Sequence, residues 1–336
     1  MAAPKVIRSQ DWWEPKITLV IAIGLLSIHG VGGDEIFSAL VFLIKLCGFT
    51  IVGAIYVSLI NDFTDLEDDA KARKNNNLLG FSKIRQIGLI SASLFGVVVI
   101  FCYLFKLYPS TLALFLGALV SYSIYSFPPI RLKKRGIWGV FADAFGAHVF
   151  PALAVFVGIF EFSGKPIPLV PFSLVAIWSM LYGFRGILGH QYLDLVNDKN
   201  ASLNTFASQT PVANIQKIEN WLVFFEIVSF SILLVLFKLE DLFFLLFFYL
   251  AIVLFLKRKK EVHFTVIIHP VNTNYTIFLS AYYQVFIVIG IFVIWGFNYG
   301  YIFLLLIPIY MVFFPNEICK MAKLSKMMVS AKNINN

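Results

Sequence analysis

Charge is scarce in this chain: only 14% of its 336 residues are Asp, Glu, Lys or Arg, where a soluble domain carries roughly 25%. That shortage excludes a soluble globular fold. Cysteine is scarce as well, with Cys47, Cys102 and Cys319 the only three. None stands at metal-ligand spacing, which excludes a disulfide framework and a zinc site and leaves packing as their role. Polar linkers, low-complexity stretches and internal composition breaks are missing, so a single domain is expected. A cleavable signal peptide is not expected either, because the apolar stretch Ile17 to Ile28 follows a polar, Trp-rich start and lacks a small-residue cleavage site. It reads as a spanning helix.

What the chain does have is apolar sequence, 59% of all residues, at a mean hydropathy of +0.82. A polytopic membrane protein follows. The net charge of +8 falls mostly in short loops between apolar runs, which argues against nucleic acid as a partner and for cytoplasmic-loop topology. Runs of about 20 apolar residues, the length of a membrane crossing, lie near 15–32, 36–60, 86–105, 110–127, 138–160, 169–192, 219–237, 242–256, 275–297 and 299–317. Nine or ten helices are therefore expected in an all-α bundle. The exits of the even-numbered segments carry the basic residues: Lys71, Arg73 and Lys74; Arg131, Lys133, Lys134 and Arg135; Lys199 and Lys217; Lys257 to Lys260; Lys320, Lys323 and Lys326. Those exits and both termini are expected on the cytoplasmic side. The layout reads as a cytoplasmic amphipathic segment over 1–14, one transmembrane domain over 15–322 and a polar cytoplasmic tail over 323–336.

Two acidic clusters stand at two of those exits, Asn61-Asp62-Phe63-Thr64-Asp65-Leu66-Glu67-Asp68-Asp69 and Asp194-Leu195-Val196-Asn197-Asp198. Carboxylates crowded at a membrane surface need a cation between them. On a helix Asp62, Asp65 and Asp69 share one face with Asn61 beside them, and Asp194 and Asp198 share another. Such faces suit Mg2+, which takes a few carboxylate oxygens and keeps its other positions for water and substrate phosphate. A solvated helix end, its acids paired with nearby lysines, is the plainer alternative for either cluster alone. Glu67 and Asp68 fall off the shared face and are expected to be solvated.

These residues carry a family resemblance. Asn61-Asp62-x-x-Asp65-x-x-x-Asp69 resembles the first signature of the UbiA superfamily of intramembrane prenyltransferases, and Asp194-x-x-x-Asp198 with Lys199 and Thr205 resembles the second. Between them, Tyr122-Ser123-Ile124-Tyr125-Ser126-Phe127-Pro128-Pro129-Ile130-Arg131-Leu132-Lys133 is similar to the loop of the chlorophyll-synthase-like branch. The resemblance implies a helical bundle around a central cavity, an isoprenyl diphosphate as donor and a hydrophobic acceptor, aromatic or lipidic. It implies metal ligation by Asn61, Asp62, Asp65 and Asp69 on one side and by Asp194 and Asp198 on the other. Asp62, Asp65, Asp194, Asp198 and Tyr125 are its candidate catalytic residues. Lys71, Arg73, Arg131, Lys133, His190 and Lys199 are its candidate substrate contacts. The run Asn75-Asn76-Asn77-Leu78-Leu79-Gly80 departs from the usual Arg-Pro-Leu of the family.

Ionisation of such a donor leaves an allylic cation, which demands a dry cavity with aromatic faces. With 36 Phe, 14 Tyr and 6 Trp composition singles out none of them, and only Tyr125 lies in the signature loop. Asp143, His148, Arg185, His190 and Gln191 are costly within a bilayer and are expected to face the bundle interior, with Asp143 and Arg185 as an interhelical ion pair and His148 either in the acceptor pocket or in the core. A terpene cyclase would use the same motifs without an acceptor. A transporter, which would hold its acids near the midplane, fits these helix-end acids poorly.

Overall fold

Each of the ten apolar runs carries a helix. A computed structural model of the chain describes residues 5–32, 35–72, 75–200, 203–259, 263–269, 275–316 and 319. Arg73, Lys74, Lys260, Lys320 and the tail 323–336 lie outside the described residues. The helices are α1 (Trp13–Val31), α2 (Ile36–Ala72), α3 (Lys83–Leu107), α4 (Pro109–Ser126), α5 (Ile137–Phe162) and α6 (Leu169–Leu193). The short helices α7 (Leu195–Asn200) and α8 (Phe206–Gln209) follow, then α9 (Val212–Leu236), α10 (Leu242–Lys259), α11 (Tyr282–Tyr299) and α12 (Tyr301–Phe313).

Eight of the described helices are long and apolar enough to cross a membrane. The two apolar runs that fall short are α10, which ends in Lys257, Arg258 and Lys259, and α12, which has 13 residues from Tyr301 to Phe313. Three basic residues in α10 and the short length of α12 keep these two of the ten apolar runs out of that set among the described residues. The described residues are all-α apart from a parallel pair of short strands, β1 (His263–Thr265) and β2 (Tyr275–Ile277). Three residues each give too little alternation to read.

Local chemistry sets several boundaries. Ser82 caps α3 by accepting from Arg85 N, Pro109 opens α4 at a position where its missing N–H costs nothing, and Thr205 caps α8 by accepting from Ser208 N. The longest helix, α2, does not stop at residue 60 but runs on through the acidic cluster to Ala72. α5 is interrupted by one π turn, Phe145–Val149, and α11 begins with another, Tyr282–Phe286.

In a bilayer, close packing between helices replaces the hydrophobic drive. Burial separates a centre from a rim: 72% of the apolar window of α1 and of α5 is inside the bundle, against 11% for α3. α1 packs on α2, α5 and α11, while α3 packs on α2 and α4. Gly24 lets α1 approach α2, since a Cβ there would come 2.2 Å from Leu43 Cδ1. α6 and α9 are joined by a buried ion pair in which Arg185 Nη1 donates to both Glu226 oxygens at 2.9 and 2.7 Å. Arg185 Nη2 also donates to Phe278 O at 2.6 Å. The partner of Arg185 is therefore Glu226 and not Asp143. Arg185 lies nine residues before Asp194, and its side of α6 faces α9.

Glu226→Ala leaves the Arg185 charge buried and unpaired, and a loss of about 3–5 kcal/mol is expected. Denaturant titration in detergent measures it. The double variant Arg185→Met with Glu226→Met should recover most of that loss, and equal stability of Glu226→Ala and wild type would contradict the assignment.

Candidate active site

At one end of the bundle the two acidic clusters meet the loop between α4 and α5. The first cluster rides on the last three turns of α2. Asp62 is buried, at 3% exposure, and its carboxylate accepts from Arg8 Nη1 at 3.1 Å and from Asn77 Nδ2 at 3.2 Å. Asp65 accepts from Arg131 Nη2 at 3.1 Å and pairs with Lys133. Asn61 Oδ1 accepts from Ser126 Oγ at 3.4 Å, which fixes the end of α4 against α2.

Asp68 is not solvated. It accepts from Arg131 Nη2 at 2.9 Å and pairs with Lys134 at 2.8 Å, because the loop after α4 folds back over this side of α2. Glu67 does point outward. Arg131 also donates to Thr64 O at 2.7 Å, so a single guanidinium ties three groups within one stretch of α2. Its backbone takes φ 41°, the left-handed region, and turns the loop so that Lys133 and Lys134 reach the acids too.

The second cluster begins where α6 ends. Asp194 sits at the junction of α6 and α7, and Asp198 N donates to Asp194 O at 2.9 Å, keeping the four-residue spacing. Asp198 is buried at 5% exposure, and α7 packs against α2. Lys133 lies within electrostatic reach of both Asp198 and Asp62, one from each cluster. Burial, with the charge of Lys134 next, pulls its ammonium below the ordinary lysine range, while Asp198 and Asp62 oppose the shift. The signature loop is anchored to the segment after the second cluster as well, for Gly136 N donates to Asn204 O at 2.9 Å.

The Asn run after α2 has a defined role. Asn76 Nδ2 donates to Asp62 O and to the Asp69 carboxylate, each at 2.8 Å, while its Oδ1 accepts from Leu78 N at 2.9 Å. One buried amide thus holds both ends of the cluster and closes the turn below it.

A cavity of about 430 Å3 opens beside these groups. Its polar end is lined by Arg8, Asp11, Asn61, Tyr125, His190 and Asp194, with Lys16, Tyr122 and Asp143 also facing it, and its remaining walls include Val20, Phe49, Val97, Ile100, Phe115 and Leu119. Tyr125 lies within electrostatic reach of Asp198 and Asp143. Of the residues expected from sequence, Asn61, Tyr125, His190 and Asp194 line the cavity, and Asp62, Asp65, Asp69, Arg131, Lys133 and Asp198 gather at its acidic end. Lys71 and Lys199 are exposed; Lys71 still acts on Asp68. Arg73 lies outside the described residues. His148 lines a small neighbouring cavity with Trp178, Ser179 and Tyr182.

Arg8 was not assigned a role from sequence, although a basic residue in an aromatic amphipathic segment carried a signal. Its segment is pinned from both sides. Trp12 is buried and donates to Ile7 O at 2.8 Å, Trp13 donates to Phe313 O at 2.9 Å, and the Glu14 carboxylate accepts from Asn316 N. The N-terminal segment therefore crosses the cavity mouth between α2 and α12.

A family model described as the UbiA prenyltransferase family matches residues 18–265. No curated protein matches the chain in sequence. Among solved structures, a UbiA homolog from Archaeoglobus fulgidus bound to DMAPP and Mg2+ aligns with a TM-score of 0.51 at 13% identity, over 89% of this chain and 98% of its own. The same values hold for a UbiA homolog from Archaeoglobus fulgidus bound to GPP and Mg2+. At this identity the likeness is one of fold.

Asn76→Ala should release the turn at 75–81 from the acidic cluster, at a cost of about 1–3 kcal/mol for the stranded partners. Hydrogen exchange should rise over that turn and the end of α2 while α9 is unchanged. Unaltered protection at 75–81 would show that the amide does not hold the turn.

Proposed function

The chain belongs to the UbiA prenyltransferase family, and from that we propose a magnesium-dependent intramembrane enzyme that ionises an isoprenyl diphosphate and transfers the prenyl group to a hydrophobic acceptor. One observation carries this reading. Both acidic clusters and the basic loop Arg131 to Lys134 meet at the polar end of a cavity whose other walls are apolar.

The donor set fits a hard cation. Asn61, Asp62, Asp65, Asp69, Asp194 and Asp198 present oxygen alone, the donor chemistry that Mg2+ takes. Magnesium is bound through a few carboxylate oxygens, with substrate phosphate and water completing the shell. Asn61, Asp62, Asp65 and Asp69 would hold it on one side, Asp194 and Asp198 on the other. When bound it supplies charge neutralisation to the departing diphosphate.

The protein's own groups do the rest. Arg131 and Lys133 already sit on the acids by direct charge contact and are placed to share the negative charge that builds as the carbon-oxygen bond of the donor breaks and its electron pair leaves with the diphosphate. Arg8 occupies the Asp62 carboxylate, a position that a metal-diphosphate would contest. The apolar walls exclude water from the allylic cation, and the ring of Tyr125 offers it an electron-rich face. An electron pair of the acceptor then closes the new bond to carbon, and the acceptor gives up a proton. The basic loops support a cytoplasmic orientation for this end of the bundle, by the excess of positive charge expected there.

Asp62→Ala and Asp198→Ala should each lower magnesium-dependent consumption of an isoprenyl diphosphate by purified protein at least 100-fold, and chelation of magnesium should abolish it. Intact consumption in either variant would sink the proposal.

A further inference from the structure

The N-terminal segment has two parts that are held in different ways. Its base, Trp12 to Glu14, is fixed. Trp12 and Glu14 are buried, the ring of Trp13 stacks on Phe314 at 5.4 Å, and Trp13 and Glu14 bond to Phe313 and Asn316. Its tip is two single 3-10 turns, Lys5–Ile7 and Ser9–Asp11, and no residue from Val6 to Asp11 is buried. A lone turn has no cooperative stability of its own, so side-chain contacts must keep the tip down. The charged ones are those of Arg8, which donates to Asp11 through Nε at 2.7 Å and to Asp62 of α2 through Nη1 at 3.1 Å. In this position Arg8 has φ 49° and ψ 37°, the left-handed region that is unfavourable for a residue with a Cβ. The grip on the acids therefore works against backbone strain.

The partner that Arg8 takes gives the contact its meaning. Asp65 and Asp68 are answered by Arg131, Lys133 and Lys134, from a loop that is itself tied down by Gly136 N donating to Asn204 O. Asp62 is buried and belongs to the proposed ligand set, yet its cation comes from the tip of a segment anchored at one end. The other oxygen of Asp62 accepts from Asn77. A divalent ion on this carboxylate needs one of those oxygens and brings its charge against a guanidinium already in place, so the two cations compete. The same tip covers the cavity, for Arg8, Asp11 and Trp12 line it.

We propose that Arg8 is a built-in occupant of the metal position at Asp62, and that Lys5 to Asp11 is a latch, closed over the empty site and displaced by the divalent ion. This rests on the magnesium-dependent prenyl-transfer reading. With the latch closed, the buried carboxylate is neutralised and the cavity is covered. Metal on Asp62 removes one of the two acids that hold Arg8, the strain at its backbone is relieved, and the tip swings out on the fixed base Trp12 to Glu14. By linkage, the free energy that closes the latch is subtracted from metal binding. The contact is therefore autoinhibitory, and removing the charge of Arg8 strengthens metal binding.

The test is equilibrium binding of Mn2+, which takes the same octahedral oxygen sites as Mg2+, to the full-length protein in phosphatidylcholine nanodiscs. Free Mn2+ is read by electron paramagnetic resonance, with protein-free nanodiscs as the blank. Arg8→Gln should bind Mn2+ about fivefold tighter than wild type or more. In wild type, saturating Mn2+ should raise hydrogen exchange over residues 6–12 by about fivefold or more while Leu19 to Ile28 of α1 stay protected. Equal or weaker binding by Arg8→Gln overturns the proposal. Unchanged exchange over 6–12 in Mn2+-loaded wild type also overturns it, since Arg8 would then be a fixed part of the site. Absence of Mn2+ binding in both proteins defeats the magnesium reading and the latch with it, whereas binding of equal strength in both defeats the latch alone.

Discussion

Negative charge held at the edge of a bilayer has to be neutralised, and the architecture of this protein is arranged around that requirement. Asp62, Asp65, Asp68 and Asp69 all lie within two turns of α2, so each repels the others. Arg8, Arg131, Lys133, Lys134 and the Asn76 amide answer them from three separate parts of the chain. Those contacts dictate where the loop after α4, the turn after α2 and the N-terminal segment are placed. Removing the acids would remove the reason for three of the connections at that end. An isolated surface ion pair contributes little, but here the groups share partners and are largely buried, so they act as a network.

Much of this was legible in the sequence because membrane helices advertise themselves. Every apolar run became a helix, and the acids of α2 and the α6–α7 junction were visible as charges where charge is rare. What could not be read depended on contacts between distant residues. Asp68 was expected in solvent because helical periodicity places it off the face of Asp62 and Asp65; the loop that covers it comes from 63 residues away. Asp143 and Arg185 were matched as the nearest opposite charges in neighbouring helices, yet Glu226 in α9 takes the arginine, and nothing in the local pattern of α9 distinguishes an acid that faces α6. Two of the ten apolar runs also differ from the rest in ways that window hydropathy smooths over: α10 ends in three basic residues and α12 has 13 residues.

The Asn run departs from the family's pattern and still ties the turn after α2 to the acidic cluster. Where a basic or proline-bearing loop is usual in the family, this chain places a neutral amide that donates to the carbonyl of Asp62 and to the carboxylate of Asp69 while accepting from Leu78 N. An amide cannot neutralise charge, so that task falls to cations elsewhere. Arg8 fills it at Asp62. The N-terminal segment and the turn after α2 are in this sense complementary: one supplies charge, the other geometry.

The polarity of the cavity follows a gradient along its depth. At the mouth, acids and bases are crowded and paired with one another. One turn deeper, Lys16, Tyr122, Asp143 and His190 face the cavity, with the Lys16 ammonium donating to the Tyr122 hydroxyl. Beyond them the walls are aliphatic and aromatic, suited to a prenyl chain. A ligand with a charged head group and a hydrocarbon tail would find a matching zone for each in that order, which is the order the proposed prenyl donor requires.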